Sequence, residues 1–285
     1  VAGIFGFFYS FGDYWFLQKF GGSVHQGYYA IGSRYASLSL IATSSIIAIL
    51  WKEVAEANKI GDMARVRYLH NKIIKILYFL GSLLSCFLIP FTKDLISLFY
   101  GVSYKDAWLP FVVMLLYPLH QSVGQISNTM LQAIERTKTL SLINIIFMIL
   151  SIPITYFLLA PKSSLIPGLD LGSYGLALKM VACQFIAVNF LNFYTCRYIK
   201  TKFDWSYQFI VILILMPLGY FVKHTTQLIL SYFISSHTIL LLTLSGIVYL
   251  ILALVIIWFY PAIAGLKSDD FQAIFYWIRK KIKTI

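Results

Sequence analysis

The sequence predicts an all-α polytopic membrane protein with about eight transmembrane helices. Three observations carry this. Long apolar stretches recur along the chain, hydrophobic residues make up 59% and charged residues only 12% of it, and Lys and Arg crowd into alternate links. Soluble globular domains carry about 25% charged residues, so the composition excludes one.

A bilayer core needs about 20 mostly apolar residues per helix. Stretches of that kind fall near 1–17, 28–51, 73–91, 109–134, 139–160, 174–196, 206–222 and 238–264. The first has no basic n-region and no cleavage site, so it reads as an internal span with sequence expected before it, not as a signal peptide. The links at 52–75, 135–139 and 197–205 and the tail at 265–285 hold 16 Lys/Arg, whereas the opposite links hold 5. The positive-inside rule puts the 16-residue side, and with it the C-terminus, in the cytoplasm. The net charge of +12 is therefore a topology signal and an attraction to anionic lipid, not a nucleic-acid footprint.

In the link at 52–72, Gly61-Asp62 breaks an amphipathic connector, and Asp62 is placed to cap a helix running into the third span. The outer link at 92–108 has room for one small helix. The seventh span is short, and residues 225–236 are expected to lie along the interface beyond it. In the tail, Ser268-Asp269-Asp270 starts a basic amphipathic helix on the anionic leaflet. Cys86, Cys183 and Cys196 lie in or at the ends of spans with no metal or disulfide spacing, and read as packing residues. No phosphate-binding Gly loop, metal-ligand cluster or nucleophile elbow is present, so no cofactor and no enzyme activity are expected.

Polar groups inside a membrane are costly and therefore informative. On the fourth span Gln121, Gln125, Asn128 and Gln132 fall within about 60° of one face at 100° per residue. Such a stripe either lines a hydrated cavity or glues helices together, the amides contributing roughly 0.6 kcal/mol each. Arg34 lies about two turns inside the second span. It snorkels, contacts an anion or forms an ion pair, and Ser37, Ser44 and Ser45 share its face. Asp13, near the outer end of the first span, either pairs with Arg34 across the hairpin or holds a coupling ion. Lys179 either snorkels to the outer surface or adds a second cation. Asn144, Ser151 and Thr155 align on the fifth span, where Pro153 is placed to kink the helix. Gln184, Asn192 and Thr195 form a looser polar face on the sixth. His120, beside the stripe, reads as a packing residue or a proton relay. Polar faces on at least four spans suit a bundle around a hydrated cavity. Cationic and rich in amides, it would accept a sugar bearing a phosphate or another acidic group.

Several linear segments resemble polysaccharide (Wzx-type) flippases, of the superfamily that includes MurJ-like flippases and MATE exporters. The segment from Gly12 to Gly22, followed by Gly27-Tyr28-Tyr29-Ala30, resembles that family's seventh-to-eighth helix hairpin. Trp51-Lys52-Glu53-Val54-Ala55-Glu56-Ala57 is similar to the loop after helix eight. Leu98 to Ala107 is similar to an outer loop, Leu131 to Lys138 to the turn after helix ten, and Leu171 to Ala177 to the start of helix twelve. The order and spacing agree over roughly residues 10–180. The sequence departs from MurJ-like proteins where Ile31-Gly32-Ser33 separate Tyr28-Tyr29-Ala30 from Arg34, and where Trp51-Lys52 stand in place of Pro. Both departures favour the Wzx-type branch.

The resemblance implies that residues 1–200 are the C-terminal six-helix lobe of a flippase and that 201–285 add two helices and the basic tail. The lobe is expected to be completed by an N-terminal lobe of the same protein and to rock against it. The implied activity is translocation of an undecaprenyl-diphosphate-linked oligosaccharide across a bacterial inner membrane, in partnership with polysaccharide polymerase machinery. Gln121, Gln125, Asn128 and Gln132 are expected to bind the sugar, Arg34 and then Lys179 the diphosphate, and Asp13 the coupling ion. The alternatives are a MATE-like cation-coupled exporter, which wants more buried acids, and a membrane-embedded O-antigen polymerase or ligase, which wants a long outer loop.

Overall fold

The computed structural model describes residues 2–202, 204–233 and 238–266. Nine α-helices are found among them: α1 (Ala2–Lys59), α2 (Met63–Leu88), α3 (Thr92–Tyr100), α4 (Trp108–Met114), α5 (Tyr117–Ala133), α6 (Thr137–Leu159), α7 (Gly172–Ile199), α8 (Trp205–Phe233) and α9 (Thr238–Phe259). No strand occurs among the described residues. The predicted tail helix lies outside them.

The expected first two spans form α1, which reverses at Gly22. That residue sits at φ 69°, a left-handed conformation that glycine adopts without a Cβ penalty. The reversal is evident from side chains: the Tyr14 and Tyr29 rings meet at 5.8 Å, and Gln26 Nε2 donates to the Tyr14 carbonyl at 3.1 Å. Fifteen residues of straight helix would separate those tyrosines by about 22 Å. The arms, residues 2–21 and 23–59, therefore run antiparallel.

Asp62 caps α2 as expected, its Oδ1 accepting from the Arg65 N–H at 2.9 Å. The outer link folds as the 3₁₀ turn Ile89–Phe91, the short helix α3 and a second 3₁₀ stretch, Val102–Ala107. The predicted fourth span is split into α4 and α5, because Pro118 opens α5 and cannot donate to a continuing helix. Pro153, in contrast, sits inside a continuous α6.

The seventh span differs from expectation. α8 runs unbroken to Phe233, so 225–233 continue the helix and do not turn along the interface. Three polar side chains at this end of α8 are bonded to the turn before α3, to Asp94 or to their own helix. Lys223 Nζ donates to the Pro90 carbonyl at 2.9 Å and pairs with Asp94, and Thr225 and Thr226 return their hydroxyl hydrogens to carbonyls one turn back.

Among the described residues, five stretches are long and apolar enough to cross a membrane: Met63–Tyr100, Thr137–Leu159, Gly172–Ile199, Trp205–Ser231 and Thr238–Phe259. The protein is an all-α, multi-pass membrane protein. The α1 arms and α5 pack among these helices. One apolar cluster joins the end of α1 (Leu50, Val54, Ala57) to the start of α2 (Val66), the end of α5 (Leu131), the start of α6 (Leu140) and the end of α7 (Ile199). The Lys/Arg-rich links thus meet at one end of the bundle, called here the basic end. The end of α9 joins them, since the Tyr207 hydroxyl lies 2.9 Å from the Lys75 carbonyl and 2.6 Å from that of Ile263. A second cluster, with Phe91, Ile96, Phe111, Leu230 and Leu241, closes the opposite end.

Candidate functional site

Asp13 and Lys179 form a buried ion pair. Lys179 is 1% exposed and Asp13 6%, and Nζ donates to Oδ1 at 2.8 Å and Oδ2 at 2.6 Å. Thr155 Oγ1 on α6 donates to Oδ1 at 2.8 Å, and the ammonium stands 4.1 Å from the Tyr9 ring centroid. The first arm of α1, α6 and α7 are tied together at this point. Lys179 lies about 10 Å along α7 from Gly172, at 1.5 Å per residue. It is held inside the bundle, which corrects the snorkelling alternative. The Asp13–Arg34 pairing is corrected as well: Asp13's partner is Lys179, and Arg34 projects from an exposed position on the second arm. Burying two charges is costly, and the bidentate geometry with the added Thr155 bond is what makes such a pair tolerable.

Asp13 borders a cavity of about 240 Å³ between the α1 arms, α4, α5 and α7. Its wall is rich in hydroxyls: Tyr9, Tyr14, Tyr29 and Tyr117, with Ser10, Ser33 and Ser37. Sequence reading singled out Asp13 and Ser37 as site residues but not Tyr29, Tyr117 and Ser33. The signal for Tyr29 and Ser33 was their spacing of four on the second arm, which places them one turn apart. Ser44 and Ser45 have side chains outside the described residues.

The amide stripe divides. Gln121 Oε1 accepts from Gln184 Nε2 on α7, and Gln125 Oε1 accepts from Thr43 Oγ1 on the second arm at 2.9 Å. These two amides are interhelical bonds, as the glue alternative held. Asn128 Oδ1 is buried without a partner among the described residues, and Gln132 is exposed. The stripe lies close against α7 because Gly124 allows it, a Cβ there meeting Val188 Cγ1 at 2.7 Å.

Nearer the basic end, His70 is 1% exposed and its Nε2 lies 3.0 Å from Asn192 Oδ1, with Nδ1 3.2 Å from Asn71 Oδ1. Asn71 Nδ2 donates to Thr201 Oγ1 at 2.8 Å. This network was not read from the sequence, where His70 sits in a basic link with no periodic partner. His120 packs edge-on to Phe185 at 4.9 Å, and its Nδ1 has no partner among the described residues. No group of three or more His, Cys, Asp or Glu able to hold a metal ion occurs among the described residues.

Compared with protein-family models, curated proteins and solved structures, the chain matches none. Fold and site together define a multi-pass helical membrane protein with a charged pair inside the bundle and a hydroxyl-lined cavity beside it.

Proposed function

We propose that this chain is one lobe of a transporter that moves a lipid-linked oligosaccharide bearing a diphosphate across a bacterial inner membrane. The observation that carries the proposal is Arg34. It is exposed on the second arm of α1, six residues or about 9 Å inside the span expected from residue 28, at 1.5 Å per residue. An Arg facing lipid inside a span is costly, by up to roughly 2.5–3.5 kcal/mol at the helix centre on insertion scales. The favoured surrounding is a watery cavity, closed on its far side by a second lobe, in which Arg34 meets an anion. Arg also presents the donor fork that matches phosphate oxygens. The neighbouring tyrosine and serine hydroxyls supply donors and acceptors suited to a sugar. Asn128 and Gln132 are further candidate contacts, while Gln121 and Gln125 support the site by fixing α5 against its neighbours.

The cation-exporter alternative is disfavoured by Lys179, which already balances the Asp13 carboxylate. For the same reason Asp13 acts as an ion-coupling group only if Lys179 lets go of it during the cycle.

The test is complementation of a flippase-deficient strain by the full-length gene, scoring surface polysaccharide and accumulated lipid-linked precursor at matched expression. Arg34→Ala should let precursor accumulate, whereas Arg34→Lys should restore part of the flux. Full activity of Arg34→Ala overturns the anion contact. Failure of the wild type to complement, despite correct insertion, counts against the substrate class.

A further inference from the structure

Two cavities share a wall along α8. The first, about 360 Å³, lies at the basic end between α2, α7 and α8 and is lined by His70, Asn71, Lys75, Asn192, Thr201 and Lys202 among others. The second, about 270 Å³, is lined almost wholly by apolar side chains, including Leu178, Ala182, Phe185, Phe209 and Ile212, together with His120. Tyr78 and Gln208 line both. On α7 the lining runs from Cys196 down to Leu178, about 27 Å at 1.5 Å per residue, more than the depth of one leaflet at about 15 Å. The second cavity opens sideways toward lipid, since Phe209 is 60% exposed and Leu178 37%.

The junction leaves polar atoms unanswered. Asn189 Nδ2 donates to the Phe185 carbonyl at 2.8 Å, which turns Asn189 Oδ1 toward Gln208. Gln208 Nε2 fills that acceptor at 2.7 Å, so its Oε1 is fixed as the outward half of the amide, buried and without a donor among the described residues. His120 Nδ1 is equally unanswered. A buried acceptor without a donor is destabilising, and a plain hydrocarbon chain leaves it so; a ligand hydroxyl does not. At the mouth, Lys202 is exposed without an ion pair among the described residues, while Lys75 shares Asp204 at 3.2 Å. The local excess of positive charge favours a phosphate.

We propose that the two cavities are one site for a single phospholipid with an anionic, hydroxyl-bearing headgroup. The phosphate lies at Lys202 and Lys75, a headgroup hydroxyl donates to Gln208 Oε1, and one acyl chain fills the apolar chamber beside His120 and Phe185. The site rests on the membrane reading of the fold but not on the transported substrate. It is separate from the Asp13–Lys179 cavity.

The test uses the full-length protein in phosphatidylcholine nanodiscs doped with phosphatidylglycerol carrying a diazirine in one acyl chain. After photolysis, label should map to Val181, Ala182, Phe185 and Ile212, and fall several-fold when the same diazirine chain is carried on phosphatidylcholine. Lys75→Ala with Lys202→Ala should abolish that headgroup preference. Ala182→Trp should block labelling without lowering the melting temperature, because Ala182 is exposed and the added bulk enters only the chamber. Equal labelling by both headgroups, or labelling that persists in Ala182→Trp, overturns the proposal. So does displacement of the probe by soluble glycerol phosphate alone, which would mark a phosphate site, or by a polyprenyl phosphate in preference to phosphatidylglycerol, which would assign the chamber to the isoprenoid.

Discussion

Lys179 and Asp13 stand 166 positions apart, yet Nζ and Oδ2 meet at 2.6 Å inside the bundle. Neither charge is tolerable there alone. Removing one partner of a buried pair costs about 3–5 kcal/mol, whereas replacing both with apolar groups is often neutral. Lys179→Ala and Asp13→Ala should each lower the melting temperature in detergent substantially. Asp13→Leu combined with Lys179→Met should recover most of the loss. If the double variant is as unstable as the sum of the singles, the pair is not coupled as described.

Gln121 and Gln125 make interhelical bonds, which in membranes average roughly 0.6 kcal/mol each. Gln121→Leu and Gln125→Leu should therefore shift thermal stability only slightly. Their transport should stay near the wild type, in contrast to Arg34→Ala. A loss of flux in Gln125→Leu at unchanged stability would return that amide to the substrate's path.

Gly219 lets α8 lie against α2, because a Cβ there would overlap the Cys86 carbonyl oxygen. Backbone cannot yield as a side-chain tip does. Gly219→Leu should cost about 1–3 kcal/mol, the usual size of an overpacking penalty, and should expose α8 to protease. Gly12→Leu, at a position where a Cβ meets nothing within 4 Å, serves as the control.

The sidedness read from the basic links is open to a direct test. Single cysteines at Lys138 and at Lys105 in a background lacking native cysteines should react from opposite sides of intact cells, Lys105→Cys with an impermeant maleimide and Lys138→Cys only after lysis. The reverse pattern would invert the orientation.

Much of this architecture was legible because membrane spans declare themselves by length and apolarity, as α6, α7 and α9 do. Asp62 was readable as a cap because the signal is local. What could not be read was pairing. Asp13, Thr155 and Lys179 were each conspicuous, but nothing in a linear sequence says which of two cations a buried carboxylate will meet. Periodicity placed Gln121 and Gln125 on one face without saying what that face touches. The end of the seventh span, around Lys223, differed from expectation for a related reason. Its hydrogen bonds are made to its own helix and to the turn before α3, and a sequence does not show which donors are already answered.

α8 is fastened at three heights: the Tyr207 hydroxyl between two carbonyls at one end, the close approach at Gly219 midway, and Lys223 on Pro90 and Asp94 at the other. A rod riveted at both ends and in the middle has no hinge of its own. A chain nicked just before α8 should then stay assembled through extraction, its two fragments migrating together until a denaturant separates them.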